Sequence, residues 1–179
     1  MNKKQKKIIL GGGCFWCLEP IFSQLKGVES VIVGYSGGTT SDPSYEMVCT
    51  GRTGHAEVIE VNYDEKLISL DRLLDIFFQV HDPTTLNRQG ADVGTQYRSI
   101  ILVNNEDEKY AVLEKIKKID QEGRWNKPIV TQVEILQNFY PAEEYHQNYF
   151  EKNPWAGYCQ VVINPKVKKF EDKYANLIK

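Results

Sequence analysis

The sequence predicts a mixed α/β fold: a split βαβ, ferredoxin-like core in the order βαββαβ, with long loops and an added C-terminal helix, strand and helix. Three observations point to it. Short apolar or alternating runs, the pattern of buried strands, recur at 7–11, 28–34, 56–63 and 99–103. Between the first two and between the last two lie stretches with apolar residues three and four apart, the spacing of an amphipathic helix. The 179 residues carry 41 % hydrophobic and 26 % charged side chains, which suits one soluble domain over 1–179 with a basic tail at 1–6.

The elements follow in order. Ile8-Ile9-Leu10 reads as a buried strand. Phe15, Leu18, Phe22 and Leu25 place a helix over 15–25, in which Pro20 is expected to kink the helix or shift its start. Val28 to Gly34 is a strand, and 35–44 is a long polar loop. Tyr45 to Cys49 forms a short helical turn, and Ala56 to Tyr63 is a third strand. Ser69 caps a helix carrying Leu70, Leu73, Leu74, Phe77 and Phe78, which stops at His81-Asp82-Pro83. A second long loop spans 84–98, and Ser99 to Val103 is the fourth strand. A helix over 106–122 ends at Gly123, and alternation from Ile129 to Ile135 gives a fifth strand. Pro141 is expected to open a short helix through about Phe150. Gln160 to Ile163 reads as extended, and a lysine-rich helix follows with Val167, Phe170 and Tyr174 on one face.

Composition excludes several classes. A net charge of −2 gives no case for nucleic-acid binding. No run approaches the ~20 apolar residues of a membrane span, and the apolar run after the N-terminal lysines is too short for a signal peptide. Four cysteines are too few for a disulfide scaffold. A cytosolic, monomeric protein with reduced thiols is expected.

The chemistry centres on Gly11-Gly12-Gly13-Cys14-Phe15-Trp16-Cys17. Cys14 falls where a strand turns into a helix. Unpaired N–H groups and the helix dipole stabilise a thiolate there, so a lowered pKa is expected for Cys14. Cys17 lies one helical turn on, and a disulfide between the two is geometrically plausible. Two small buried residues in a glycine turn, or half a zinc site, are the alternatives. His55, His81 and His146 are scattered, and Cys49 and Cys159 form no second close pair, which weighs against zinc. Glu57 opens a strand beside Val58 and Ile59; burial there would raise its pKa and make it a proton donor, although an exposed strand-end glutamate is commoner. Tyr45 and Tyr97 offer phenol donors from the long loops, and turn chemistry alone explains Asp92. Phe15 and Trp16 suggest an apolar wall beside the thiol, suited to a small apolar group such as a methyl.

With these residues in view, the chain resembles the peptide-methionine sulfoxide reductases of type A. The resemblance runs from Gly12 to about Lys168, through Gly13-Cys14-Phe15-Trp16, Gly34-Tyr35-Ser36-Gly37-Gly38, Tyr45 to Gly51, Thr53-Gly54-His55-Ala56-Glu57, His81-Asp82-Pro83-Thr84, Gly94 to Ser99 and Glu143-Glu144-Tyr145-His146-Gln147. It implies reduction of methionine S-sulfoxide, free and in proteins, with Cys14 as nucleophile. It further implies that Phe15 and Trp16 hold the methyl group, that Glu57 donates a proton helped by Tyr45 and Tyr97, and that Asp92 positions the substrate. No bound cofactor or metal is implied; thioredoxin or a small dithiol is the external reductant. Many relatives resolve the sulfenic acid through a C-terminal cysteine. Here Cys17 is favoured over Cys159, because it is adjacent and the tail after Cys159 reads as ordered. Cys49 has no assigned role and reads as structural. A thioredoxin-like dithiol–disulfide oxidoreductase is the runner-up; it leaves Glu57, the aromatic pair and the long loops unexplained. A zinc-stabilised peptide-binding module is the non-enzymatic alternative.

Overall fold

A computed structural model describes residues 5–179. Strand β1, Gln5–Gly11, leads through a glycine turn into helix α1, Phe15–Ser23. Strand β2, Val28–Ser36, is followed by the short helix α2, Tyr45–Cys49, whose Ser44 cap accepts the Met47 N–H at 3.2 Å. Strand β3, Ala56–Asp64, leads to α3, Leu70–Val80, capped by Ser69. A small hairpin, β4 (Arg88–Gln89) with β5 (Asp92–Val93), and a 3₁₀ turn at Thr95–Tyr97 organise the second long loop. Then come β6 (Ile100–Val103), α4 (Glu106–Gln121), β7 (Gln132–Ile135), β8 (Phe139–Pro141), α5 (Tyr149–Lys152) and α6 (Asn164–Tyr174).

The main sheet runs β7-β6-β1-β3-β2-β8; all neighbours are antiparallel except β6 and β7, which are parallel. The mixed α/β class read from the sequence is the class observed. Strand alternation separates two cores. Ile8 and Leu10 face α1 and α3 in the larger one; Ile9 joins Ala56, Val58, Ile100 and Leu102 on the opposite face. Because β1 and β3 are antiparallel neighbours, the end of β1 meets the start of β3. That register brings the Gly11–Cys14 turn beside Glu57.

Four local expectations are corrected. The strand β1 begins at Gln5, which pairs with Asp64, so two residues of the expected basic tail belong to the sheet; residues 1–4 lie outside the described residues. Helix α1 runs on through Pro20 to Ser23, because burial of Leu18, Ile21 and Phe22 outweighs the proline's missing hydrogen bond. Pro141 ends the edge strand β8, paired with Gly34, where the absence of an N–H is tolerated; a 3₁₀ turn at Glu144–His146 and α5 follow instead of one helix. The segment Cys159–Ile163 is π-helical rather than extended. Its buried Cys159 and Ile163 continue the face of Val167, Phe170 and Tyr174 at steps of four and three, a period that the β-branched Val161-Val162-Ile163 run disguises.

Candidate active site

The turn after β1 has no room for side chains. A Cβ on Gly12 would stand 2.9 Å from the His81 ring, and Gly13 has φ +93° with the Gln89 side chain at 2.7 Å from where its Cβ would be. The chain therefore enters α1 at one fixed angle, with half-buried Cys14 as its N-cap. The free N–H groups of the helix start are divided. Trp16 N–H points at the Cys14 thiol, while Phe15 N–H donates to Glu57 Oε1 at 3.2 Å.

Glu57 is 1 % exposed. Burial pushes its carboxyl up to about 8, against the lowering by the Phe15 N–H, so it holds a proton at neutral pH. Its side chain also bonds the Cys14 thiol. The expected lowering of the Cys14 pKa is corrected. Burial, the hydrogen bond with Cys17 and the Glu57 charge together raise it, and a single N–H from Trp16 does not outweigh them. The low thiol is its neighbour: the hydrogen bond from Cys14 pulls Cys17 down to about 7, with help from Lys166 and Tyr158. Cys17 is buried in the first turn of α1, in direct hydrogen-bond contact with Cys14.

The aromatic pair divides its work. Phe15 is fully buried against Tyr35 and His146. Trp16 is half-buried; its ring stacks on Tyr149 at 3.7 Å, and its Nε1 donates to His146 Nδ1 at 3.1 Å. Tyr45 and Tyr97 both lie near enough to feel the Glu57 charge, and burial pushes both phenols up, so they stay neutral donors. Asp92 feels the same cluster and accepts the Tyr158 hydroxyl at 2.8 Å. Thus the structure brings Cys14, Phe15, Trp16, Cys17, Tyr45, Glu57, Asp92 and Tyr97 to one place, drawn from α1, α2, β3 and the hairpin loop. Cys159 is buried close enough to Cys17 for the charges to interact. Cys49, read as structural, is exposed at the rim, with its thiol bonded to Tyr45.

Several residues of this neighbourhood escaped the sequence reading. Glu143 takes the Tyr35 hydroxyl at 2.9 Å and the Tyr45 N–H at 3.0 Å, fixing the loop that carries Tyr45. The Arg98 guanidinium reaches the carbonyls of Thr95 and Gly54 at 2.9 Å and of Gly37 at 3.4 Å, which ties three loops together. His146 and Tyr149 support Trp16, and Tyr158 reaches Asp92. The Glu143–Gln147 stretch and the Tyr158-Cys159 pair were visible as motifs; their side-chain partners were not.

Comparison with known proteins agrees with this geometry. A family model described as peptide methionine sulfoxide reductase matches residues 6–178. The chain belongs to that family. Among its relatives, the peptide methionine sulfoxide reductase MsrA of Nautilia profundicola is 58 % identical over 164 residues, covering 92 % of this chain and 93 % of that protein. The reduced form of Mxr1 from Saccharomyces cerevisiae superposes with a TM-score of 0.80 at 40 % identity, covering 87 % of this chain and 90 % of the yeast protein. Mxr1 in complex with Trx2 gives 0.58 at 28 % identity, covering 83 % and 87 %. Among the described residues, no group of three or more His, Cys, Asp or Glu side chains is placed to hold a metal ion, and no helix is long and apolar enough to cross a membrane.

Proposed function

We propose that the whole chain is one catalytic domain that reduces the S epimer of methionine sulfoxide, free and in proteins, to methionine, as a cytosolic monomer recycled by thioredoxin. One observation carries the reading: a buried carboxyl, pushed up to about 8 by that burial, touches the half-buried thiol at a helix start. Trp16 forms the wall for the methyl group, backed by the fully buried Phe15 ring behind it, and Asp92 anchors the substrate side.

The steps follow from the charges. Glu57 gives its proton to the sulfoxide oxygen, helped by Tyr45 and Tyr97, which makes the sulfur electrophilic. Cys17, held down to about 7 and so partly ionised, is the weaker base, and it takes the Cys14 proton only as the Cys14 sulfur closes on the electrophilic sulfoxide sulfur, which acidifies that proton. The Cys14 thiolate attacks the sulfur; the oxygen moves to Cys14 as hydroxyl, methionine leaves, and Cys14 is a sulfenic acid. Cys17 then attacks the Cys14 sulfur, the S–O bond breaks, and water leaves with the proton that Cys17 had taken. Thioredoxin, or a small dithiol, reduces the Cys14–Cys17 disulfide by exchange. The yeast relative solved with Trx2 supports thioredoxin as that partner.

The test is turnover of each methionine sulfoxide epimer separately, with dithiothreitol and with thioredoxin. Only the S epimer is converted, Cys14→Ser is inactive, and Cys17→Ser keeps the first methionine released but loses thioredoxin-driven turnover. Turnover of neither epimer by the wild type removes the proposal.

A further inference from the structure

Tyr158 stands where the C-terminal segment crosses the site. Its hydroxyl donates to Asp92 Oδ2 at 2.8 Å and lies 3.8 Å from Cys17 Sγ. Its ring meets Trp16 edge-on, with centroids 6.1 Å apart at 71°. It directly precedes the π-helical segment Cys159–Ile163, whose buried Cys159 and Ile163 hold it against α1. So the phenol is clamped from three sides: by Asp92, by the Trp16 ring and by its own backbone.

We propose that Tyr158 is the positioning residue for the second thiol, holding Cys17 Sγ aimed at Cys14 for the disulfide-forming step. The inference rests on the reading of Cys17 as the resolving cysteine. A phenol carries one proton. While that proton is on Asp92, the phenol oxygen accepts the Cys17 S–H and fixes the rotamer of Cys17. When Cys17 is a thiolate, the same hydroxyl turns to donate to sulfur, and the thiolate is stabilised without losing its aim. Burial keeps the phenol protonated through the whole neutral range, so the donor is always available. The other groups facing Cys17 are Cys14, by hydrogen bond, and Lys166, Asp92, Glu57 and Cys159, through their charges. Removing only the Tyr158 hydroxyl takes one hydrogen bond from Asp92, leaves Cys14, Lys166, Glu57 and Cys159 untouched, and keeps the ring against Trp16.

The experiment is a single turnover without reductant, quenched at intervals, on wild type and Tyr158→Phe from pH 6 to 9. Methionine release reports the first step, loss of free thiols reports disulfide formation, and peptide mapping identifies the bond. In Tyr158→Phe, Cys14–Cys17 formation slows at least fivefold more than methionine release does, and its pH midpoint moves upward. A lost buried contact without positioning would leave that midpoint where it is. Alkylation of Cys17 by iodoacetamide across pH in Cys14→Ser, with and without Tyr158→Phe, gives an independent reading: the midpoint rises in the double variant. A Cys14–Cys17 bond formed at the wild-type rate and midpoint overturns the inference, as does equal slowing of both steps. A wild-type bond between Cys14 and Cys159 overturns the reading of Cys17 and the inference with it.

Discussion

The site is assembled from two regions that hold their residues by different means. Cys14 and Glu57 hang from β1 and β3, neighbouring strands inside the sheet, and the backbone ladder between them sets their separation. The residues of the C-terminal segment arrive differently. After β8 no strand carries them; Trp16 to His146, Trp16 against Tyr149, Glu19 to the Asn148 N–H at 2.8 Å, Gln147 to Val33 and Tyr158 to Asp92 are side-chain contacts. Chemistry that tolerates no misplacement, proton transfer and attack, sits on the rigid half. The half held by side chains lies over Cys17, the proposed resolving thiol.

Breaking the sheet-held half has the largest effects. Cys14→Ser lowers dithiothreitol-driven turnover by about 10³-fold or more, the scale of removing a nucleophile, with the melting temperature little changed. Glu57→Gln lowers the methionine-release rate by about 10²–10⁴-fold, and the alkaline fall of activity near pH 8 disappears from the pH profile. The same substitution acts on stability. The Glu57 carboxyl is protonated up to about 8 when folded and only to about 4.5 when unfolded, so wild-type stability falls as pH rises between those values. Thermal melts from pH 5 to 8 show that slope in wild type and a flatter one in Glu57→Gln, a difference of about 3–4 kcal/mol across the range, since one pKa unit is worth about 1.4 kcal/mol.

Substitutions at the junction and in the tail are milder and divide the two regions more finely. Trp16→Ala removes the stack on Tyr149 and the bond to His146; kcat/KM for the S-sulfoxide falls by about tenfold, mostly through KM, as expected for loss of a binding wall worth about 1.5 kcal/mol. Phe170→Ala empties a buried position of α6 and costs about 3 kcal/mol of stability in chemical denaturation. Dithiothreitol-driven turnover stays within twofold at 25 °C, while thioredoxin-driven turnover falls several-fold. Equal loss in both assays would show that the tail supports the first step as well.

The sequence alone determined the strands β1, β2, β3, β6 and β7 and the capped helices α3 and α4, because periodicity, Ser69, Gly123 and the glycine turn are local signals. It also determined the thiol at the helix start and, through several short stretches, the family. Tertiary structure decided what depends on neighbours distant in sequence. Pro20 stays helical because α1 is buried, and the valine run after Cys159 is helical because a packed face extends through it. The raised Cys14 and lowered Cys17 thiols follow from burial and from the contact between them, opposite to the shift that the helix end alone would give Cys14. Glu143, His146, Tyr149 and Tyr158 belong to the site only because the segment after β8 crosses α1. A helix start announces a reactive thiol within a few residues; burial and the Glu57 carboxyl from another strand help set its proton, and no local pattern records either.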